Sequence, residues 1–573
     1  MAASEQQELE EALSDYLNEH GEKAAGVAVI VVNEDEITYL MDGYADIKRQ
    51  VPVDEETIFE WGSVSKVLIW ISILQLEEAG HLELDKDIAT YLPRDFHSKL
   101  SFDSPVTLTH LMNHTAGYDD SYTDLMVLKP AEIASLKEVL EAADVRQVFP
   151  PGEVVAYSNY GAGLAAYVVE EVSGMDFRLY VQKHIFEPLQ MTKTSIDAEQ
   201  NDLPWVKEQR KNVQGYSEDL QLIQPNHYVI PLYPAGSVTG VASDLQKLLK
   251  ALLSEDGAPL FRHRQTLDAL LLPTLYYPGT NVPRMANGLV SLPSESGQVF
   301  GHGGNTVAFS SSFYVDRQAG TGVLVMTNMA NERTFTLGIP EIVFGKPHKE
   351  NPSTLEDSSK WAGIYEPARV PRHGFSKVYG LLLRSKSEQA EAHDLTMNGL
   401  RYSQTGPGMY LTGDDFSAYA IDVYSEHPVN GNMLSSAQTD MLRIPIYQHL
   451  LEWGSIALGA LAALLSIVFM LFSLLRKIRI HTILLMQHVL NLLAVLNAVW
   501  IAYRTASITT YTSIHPFLTA NLFYVAASWV VSGILIARMR TGRKDKREAF
   551  IGILTVMTAV VLTGNILYWE FYF

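Results

Sequence analysis

The end of this 573-residue chain carries four apolar stretches of about 20 residues each: Trp453–Leu475, Ile483–Ala502, Pro516–Ala537 and Phe550–Trp569. Runs of that length match the hydrocarbon thickness of a bilayer. Inside lipid each peptide group must find its hydrogen bond within its own segment, so each stretch has to be a helix. The loop after the first stretch holds Arg476, Lys477 and Arg479, and the loop after the third holds Arg540, Arg543, Lys544, Lys546 and Arg547. The middle loop, Thr505–His515, has neither Lys nor Arg. Basic loops stay cytoplasmic, which puts the N-terminal region, the middle loop and the C-terminus outside. Tyr568, Trp569, Phe571, Tyr572 and Phe573 then read as an interfacial aromatic anchor. Exporting the region ahead of the first span calls for a signal peptide. Met1-Ala2-Ala3-Ser4-Glu5-Gln6 is polar and acidic, so the expectation is that the signal was removed from this numbering.

Charge divides the chain in the same place. The net charge is −22, yet residues 451–573 hold ten Lys and Arg against four Asp and Glu, leaving about −28 on the first 450 residues. A basic nucleic-acid surface is therefore not expected; an acidic outer region favours cationic substrates or serves solubility alone. No Cys is present, which removes disulfides, thiol chemistry and Cys zinc sites.

Within the N-terminal region, Ser63-Val64-Ser65-Lys66 follows the strand-like Thr57–Trp61 and opens the apolar run Val67–Leu74. That pattern reads as a buried helix with the serine at its start. Lys66, three residues on, shares a helix face with the hydroxyl. A serine needs a neighbouring base to become a nucleophile, and a helix N-terminus favours the negative charge that then develops. Alone the tetrapeptide is weak evidence, since an N-cap Ser and a solvated Lys fit it too. Tyr157-Ser158-Asn159 sits on a loop after Pro150-Pro151-Gly152, just ahead of a helical run, Ala162–Val172, that ends at Ser173-Gly174. A phenol beside Lys66 could lose its proton more readily and act as general base, and Asn159 could donate its amide to a substrate carbonyl. A third motif, His302-Gly303-Gly304-Asn305, precedes two strand-like stretches, Ala308–Val315 and Gly322–Thr327. Glycines on a strand allow close approach of a backbone or ligand, and the Asn305 N–H with that of Ser63 could form an oxyanion hole.

With these motifs in order, the chain resembles the serine beta-lactamase and penicillin-binding-protein superfamily, in its class C branch, over roughly residues 8–345. The likeness extends to Glu8–His20, the hairpin-like Ala25–Val32 and Glu36–Gly43, Leu82–Asp87 with Tyr91-Leu92-Pro93, Val106–Gly117, and Pro234–Leu245. The resemblance implies Ser63 as acylated nucleophile, Lys66 and Tyr157 as proton movers, Asn159 as a substrate contact, and His302-Gly303-Gly304 in the place of the family's Lys-Thr-Gly strand. A His there is more like the esterases and D-amino-acid-directed peptidases of the branch than its antibiotic-hydrolysing members. His110 and His114 share a helix face as metal-binding pairs do, but no Glu follows the first and no third ligand is evident; neither a metal nor a cofactor is expected. Asp119–Asp124 reads as a solvated loop, with the rim of the cleft as the alternative.

Three domains are expected: 1–348, an α+β hydrolase with an antiparallel sheet flanked by helices; 349–450, a small antiparallel β module, barrel-like, with runs such as Val378–Leu383, Asp394–Tyr402 and Met409–Leu411; and 451–573, four membrane helices. The region between hydrolase and membrane opens with Asn351-Pro352-Ser353-Thr354. The expected activity is that of a membrane-anchored serine peptidase acting beside D-amino acids in a nonribosomal or cell-wall peptide. An esterase or weak beta-lactamase, or a non-catalytic penicillin-binding sensor, are the alternatives. Because one helix would suffice for tethering, the spans leave room for an oligomeric or transporter partner.

Overall fold

The computed structural model describes residues 3–33, 36–121, 123, 125–128, 134–347, 355–412, 420–427, 431–475, 481–505, 510–541 and 546–573. Tyr122, Asp124, Asn351–Thr354, residues 506–509 of the middle loop, and the basic residues Arg476, Lys477, Arg479, Arg543 and Lys544 lie outside the described residues. The chain divides into two compact units. One comprises 1–120, 128–369 and 386–443, the other 121–127, 370–385 and 444–573.

The first unit is α+β, centred on a nine-stranded sheet in the order Val51–Pro52, Glu36–Asp46, Gly26–Asn33, Thr321–Thr327, Ser310–Asp316, Val299–Asn305, Leu289–Leu292, Pro283–Ala286 and Leu275–Tyr276. Its neighbours pair antiparallel. Gly26–Asn33 is buried along its whole length because both faces are covered. On one face Val27, Val29 and Val31 meet Leu13 and Leu17 of the helix Ala3–His20 and Phe335 and Ile339 of the helix Thr334–Phe344. A short second sheet, Ile58–Glu60, Thr239–Val241 and Thr194–Ser195, delivers the chain to Gly62 and Ser63. The helix Lys66–Glu78 is apolar nearly all round and buried nearly all round.

Eight strands from Gly363–Pro367 to Asp440–Ile444 close into a barrel, which leaves that sheet without free edges. Its interior is filled by Trp361, Tyr365, Leu395, Met397, Tyr402, Tyr410, Tyr424, Leu434 and Met441. The run expected as one strand at Asp394–Tyr402 is a hairpin, Leu395–Met397 and Leu400–Gly406, turned at Asn398 and Gly399, both with positive φ. Val378–Leu383, expected as a strand, is instead the helix Val378–Leu382. A six-residue apolar run has too little periodicity to separate the two states, and this one belongs to the second unit rather than to the barrel.

The second unit is built on the helices Ile446–Leu475, Thr482–Thr505, Tyr511–Thr541 and Lys546–Tyr568. Among the described residues these four are long and apolar enough to cross a membrane. The third begins before Pro516, which lies inside it one turn past its first residues and leaves the Thr512 carbonyl without its helical N–H donor. Its interior is polar. His488 bridges the Ser466 hydroxyl and the Thr555 hydroxyl, each at 3.1 Å, and Asn491 Nδ2 donates to Ser466 and Thr558 at 3.0 Å. Asn491 Oδ1 accepts from Gln487 at 3.0 Å and from Tyr524 at 3.1 Å. The terminal aromatics turn back onto this unit: Trp569 is buried and its Nε1 donates to Ser455, while the Tyr568 hydroxyl donates to Glu452.

Candidate active site

The nucleophile candidate is placed by a turn rather than by the helix itself. After Trp61 the chain passes through Gly62, at φ +52°, into a tight 3-10 turn, Gly62–Ser65, and the α-helix starts at Lys66. A side chain on Gly62 would collide with the backbone of Asn305, its Cβ 2.6 Å from the amide nitrogen, so only glycine fits there. Lys66 is fully buried, and its Nζ lies 3.0 Å from Ser63 Oγ and donates to the Ala235 carbonyl at 2.6 Å. Ala235 belongs to the Pro234–Leu245 segment named above. Burial drives the ammonium well below its ordinary pKa, the Arg369 cation pushes the same way, and Asp120 opposes them. Lys66 therefore gives up its proton more readily than a surface lysine, directly against the hydroxyl.

Tyr157 is buried on the turn before the helix Asn159–Ser173, which Ser158 caps and Gly174 ends in the left-handed conformation. Its ring is 5.0 Å from Lys66 Nζ, 4.3 Å from the His114 ring and 4.7 Å from the Arg369 guanidinium. Its hydroxyl lies 3.5 Å from His302 Nε2. Burial pushes the phenol up to about 12, against the pull of a hydrogen bond with Ser63 and of Arg369. Desolvation outweighs those pulls, so the phenol holds its proton more firmly than a free tyrosine does. Asn159, two residues on, opens the helix and is half buried.

The strand Val299–Asn305 runs along the Ser63 turn. Gly304 lies so close that a Cβ would sit 2.0 Å from the Trp61 carbonyl, and Ser311 donates to that same carbonyl at 2.7 Å. Asn305 ends the strand, its side chain accepting from Ser310 and its backbone amide bordering Gly62. His302 is buried, with Nδ1 2.5 Å from the Gly303 carbonyl. Burial pulls it down to about 3, so it stands neutral. The structure brings Ser63, Lys66 and Tyr157 together, sets His302 against the Tyr157 hydroxyl, and lays Gly304 and Asn305 beside the Ser63 turn.

The paired histidines have structural duties. His110 Nδ1 accepts from Thr107 N–H in a capping box, and His114 Nδ1 accepts from Ser158 N–H ahead of the Tyr157 helix. Among the described residues no group of three His, Asp or Glu is arranged to hold a metal. Asp119 and Asp120 are buried, not solvated as expected, and Asp120 binds Arg369 at 2.9 Å. Asp120 agrees with the alternative reading of its loop, beside the cleft, whereas Arg369 was not foreseen. Arg369 lies in no motif, and no local pattern in the sequence pairs it with Asp120.

A family model described as beta-lactamase matches residues 9–342. The chain belongs to the beta-lactamase family. The penicillin-binding protein PbpX of Bacillus subtilis (strain 168) is 32% identical over 246 residues, 42% of this chain and 57% of that one. The chain thus spans little more than half of that relative's length. Esterase EstB of Burkholderia gladioli is 26% identical over 349 residues, 54% of this chain and 87% of the esterase. The crystal structure of SurE shares the fold, with a TM-score of 0.54 at 19% identity, over 77% of this chain and 99% of that one. The beta-lactamase-family match ends before the barrel and the four long helices begin.

Proposed function

We propose that this chain is a membrane-anchored, extracytoplasmic serine peptidase that cleaves peptide bonds next to D-amino acids through an acyl-enzyme on Ser63. The observation that carries the reading is the buried Lys66 amine 3.0 Å from the Ser63 hydroxyl, with the Tyr157 phenol beside both. Neutral Lys66 takes the hydroxyl proton as Ser63 Oγ attacks the carbonyl carbon. The backbone amides of Ser63 and Asn305 receive the oxyanion. Tyr157 gives its proton to the leaving amine, and Lys66 restores it; water then releases the acyl group by the same route in reverse. Asn159, His302 and Gly303 line the bound peptide. His302, neutral and buried, offers no charge to a penicillin-type carboxylate, which favours a peptide over an antibiotic. The basic loops between the spans support the outward orientation.

An esterase is the second reading, favoured by the match over 87% of EstB. A fluorescent penicillin or fluorophosphonate should label the wild-type chain and leave Ser63→Ala unlabelled. Failure of the wild type to label removes the acyl-enzyme. Hydrolysis of matched D- and L-aminoacyl peptides, with a simple ester and nitrocefin alongside, separates the two readings. A preference for the D-peptide supports the proposal, and turnover of the ester alone rejects it.

A further inference from the structure

The barrel lies outside the part of the chain that matches the family model, yet it reaches the catalytic tyrosine. Its last hairpin, Gly431–Ser435 with Asp440–Ile444, is stitched to the segment that carries Tyr157. Tyr157 N–H donates to the Gln438 carbonyl at 3.2 Å, and Val155 and Asp440 exchange bonds through the Asp440 N–H and carboxylate, both at 2.7 Å. Asp440 is also clamped from the catalytic sheet. Arg284, on the strand Pro283–Ala286, pairs with it at 2.9 Å and donates to the Ala437 carbonyl, with both partners of the ion pair almost fully buried. Just after the barrel's first strand, Ala368 N–H donates to the Asp440 carbonyl and Arg369 N–H to the Thr439 hydroxyl. The Arg369 side chain then leaves the barrel and lies on the face of the Tyr157 ring.

We propose that Arg369, held by Asp120, is a positioning residue for catalysis: its guanidinium fixes the Tyr157 ring against the Ser63–Lys66 pair and supplies the positive field in which those groups exchange a proton. The barrel is then part of the proton-moving machinery and not a spacer. The inference rests on the proposed roles of Lys66 and Tyr157. Among the described residues, the charged and titratable groups facing this pair are Arg369 and Asp120, His114 with its ring 4.3 Å from that of Tyr157, and His302 with its ring at 5.8 Å. Both histidines are buried and held neutral, which leaves Arg369 and Asp120 as the fixed charges. A cation there favours the neutral amine over the ammonium and the phenolate over the phenol, and Asp120 acts in the opposite sense on both.

The test uses the full chain in detergent, with the rate of labelling by fluorescent penicillin followed across pH. The acid limb of that profile reads protonation of Lys66. Arg369→Met should slow labelling roughly tenfold at neutral pH and move the acid limb up by about one unit, the scale of one nearby charge. Arg369→Lys should bring the limb back toward wild type, and Asp120→Asn should move it down. A purely structural role for Arg369 gives no such opposed shifts. An Arg369→Met limb that coincides with wild type overturns the proposal, as does an Arg369→Lys limb displaced equally far. If Arg369→Met fails to fold, an upward move in Asp120→Asn overturns it and a downward move supports it. Tyr157→Phe in the same assay separates the two claims. Wild-type labelling there removes the role of Tyr157, whereas slow labelling with an unmoved Arg369→Met limb removes only that of Arg369.

Discussion

Burial does most of the chemistry at Ser63. A lysine on the surface is charged at neutral pH and useless as a base; taken wholly out of water, with Arg369 nearby, Lys66 holds that charge far less firmly. Activity should therefore hold through neutral pH and fall only when pH drops through the lowered Lys66 pKa. A profile that climbs through pH 10, the ordinary lysine range, would contradict a neutral Lys66. Lys66→Ala and Tyr157→Phe should each cut turnover at least ~10²-fold, the usual scale for lost acid–base help, as measured by release of product from the preferred peptide. The three motifs were legible because each is local: four or fewer consecutive residues carry the chemistry, and the turn geometry follows from them. The shifted proton affinities of Lys66 and Tyr157 were not. They depend on how completely Lys66 and Tyr157 are desolvated, and that is a property of the packed site.

Among the elements, the strand Val299–Asn305 sets the geometry with two adjacent glycines in unequal surroundings. A Cβ on Gly304 would meet the Trp61 carbonyl at 2.0 Å, whereas a Cβ on Gly303 meets nothing nearer than the Ser311 carbonyl at 3.9 Å. Gly304→Ala should cost ~1–3 kcal/mol of overpacking strain and push the strand off the Ser63 turn. Gly303→Ala should keep the wild-type unfolding temperature, since the added methyl meets no atom closely enough to strain the strand. Equal effects of the two on thermal unfolding would show that the strand does not approach the turn as described. The sequence marks both glycines alike, because a strand glycine signals a close approach without saying which residue is approached. The same blindness hides Arg369. Its contact with Tyr157 is made across a barrel whose closure no short pattern announces.

Over the whole molecule, buried polar groups hold each unit in one arrangement. In the first unit the Arg284–Asp440 pair ties the barrel hairpin to the catalytic sheet. Asp440→Asn leaves Arg284 buried without its counter-ion and should cost ~3–5 kcal/mol, read as a fall in the thermal midpoint with a loss of labelling. In the second unit Asn491 is the hub of hydrogen bonds from three other helices. Asn491→Leu should weaken the bundle by ~1–2 kcal/mol, measured by detergent-induced unfolding. The segment Val370–Ser385 adds a practical consequence for anyone preparing a water-soluble enzyme. It interrupts the barrel in sequence but packs with the helices, where Phe375 sits among Ile501, Ile514 and Leu518, and Gly374 and Lys377 bind Glu570. A chain stopped at Arg443 keeps this segment and discards everything that covers it. Such a fragment should self-associate through Phe375 on a sizing column, and Phe375→Ser should return it to a monodisperse species.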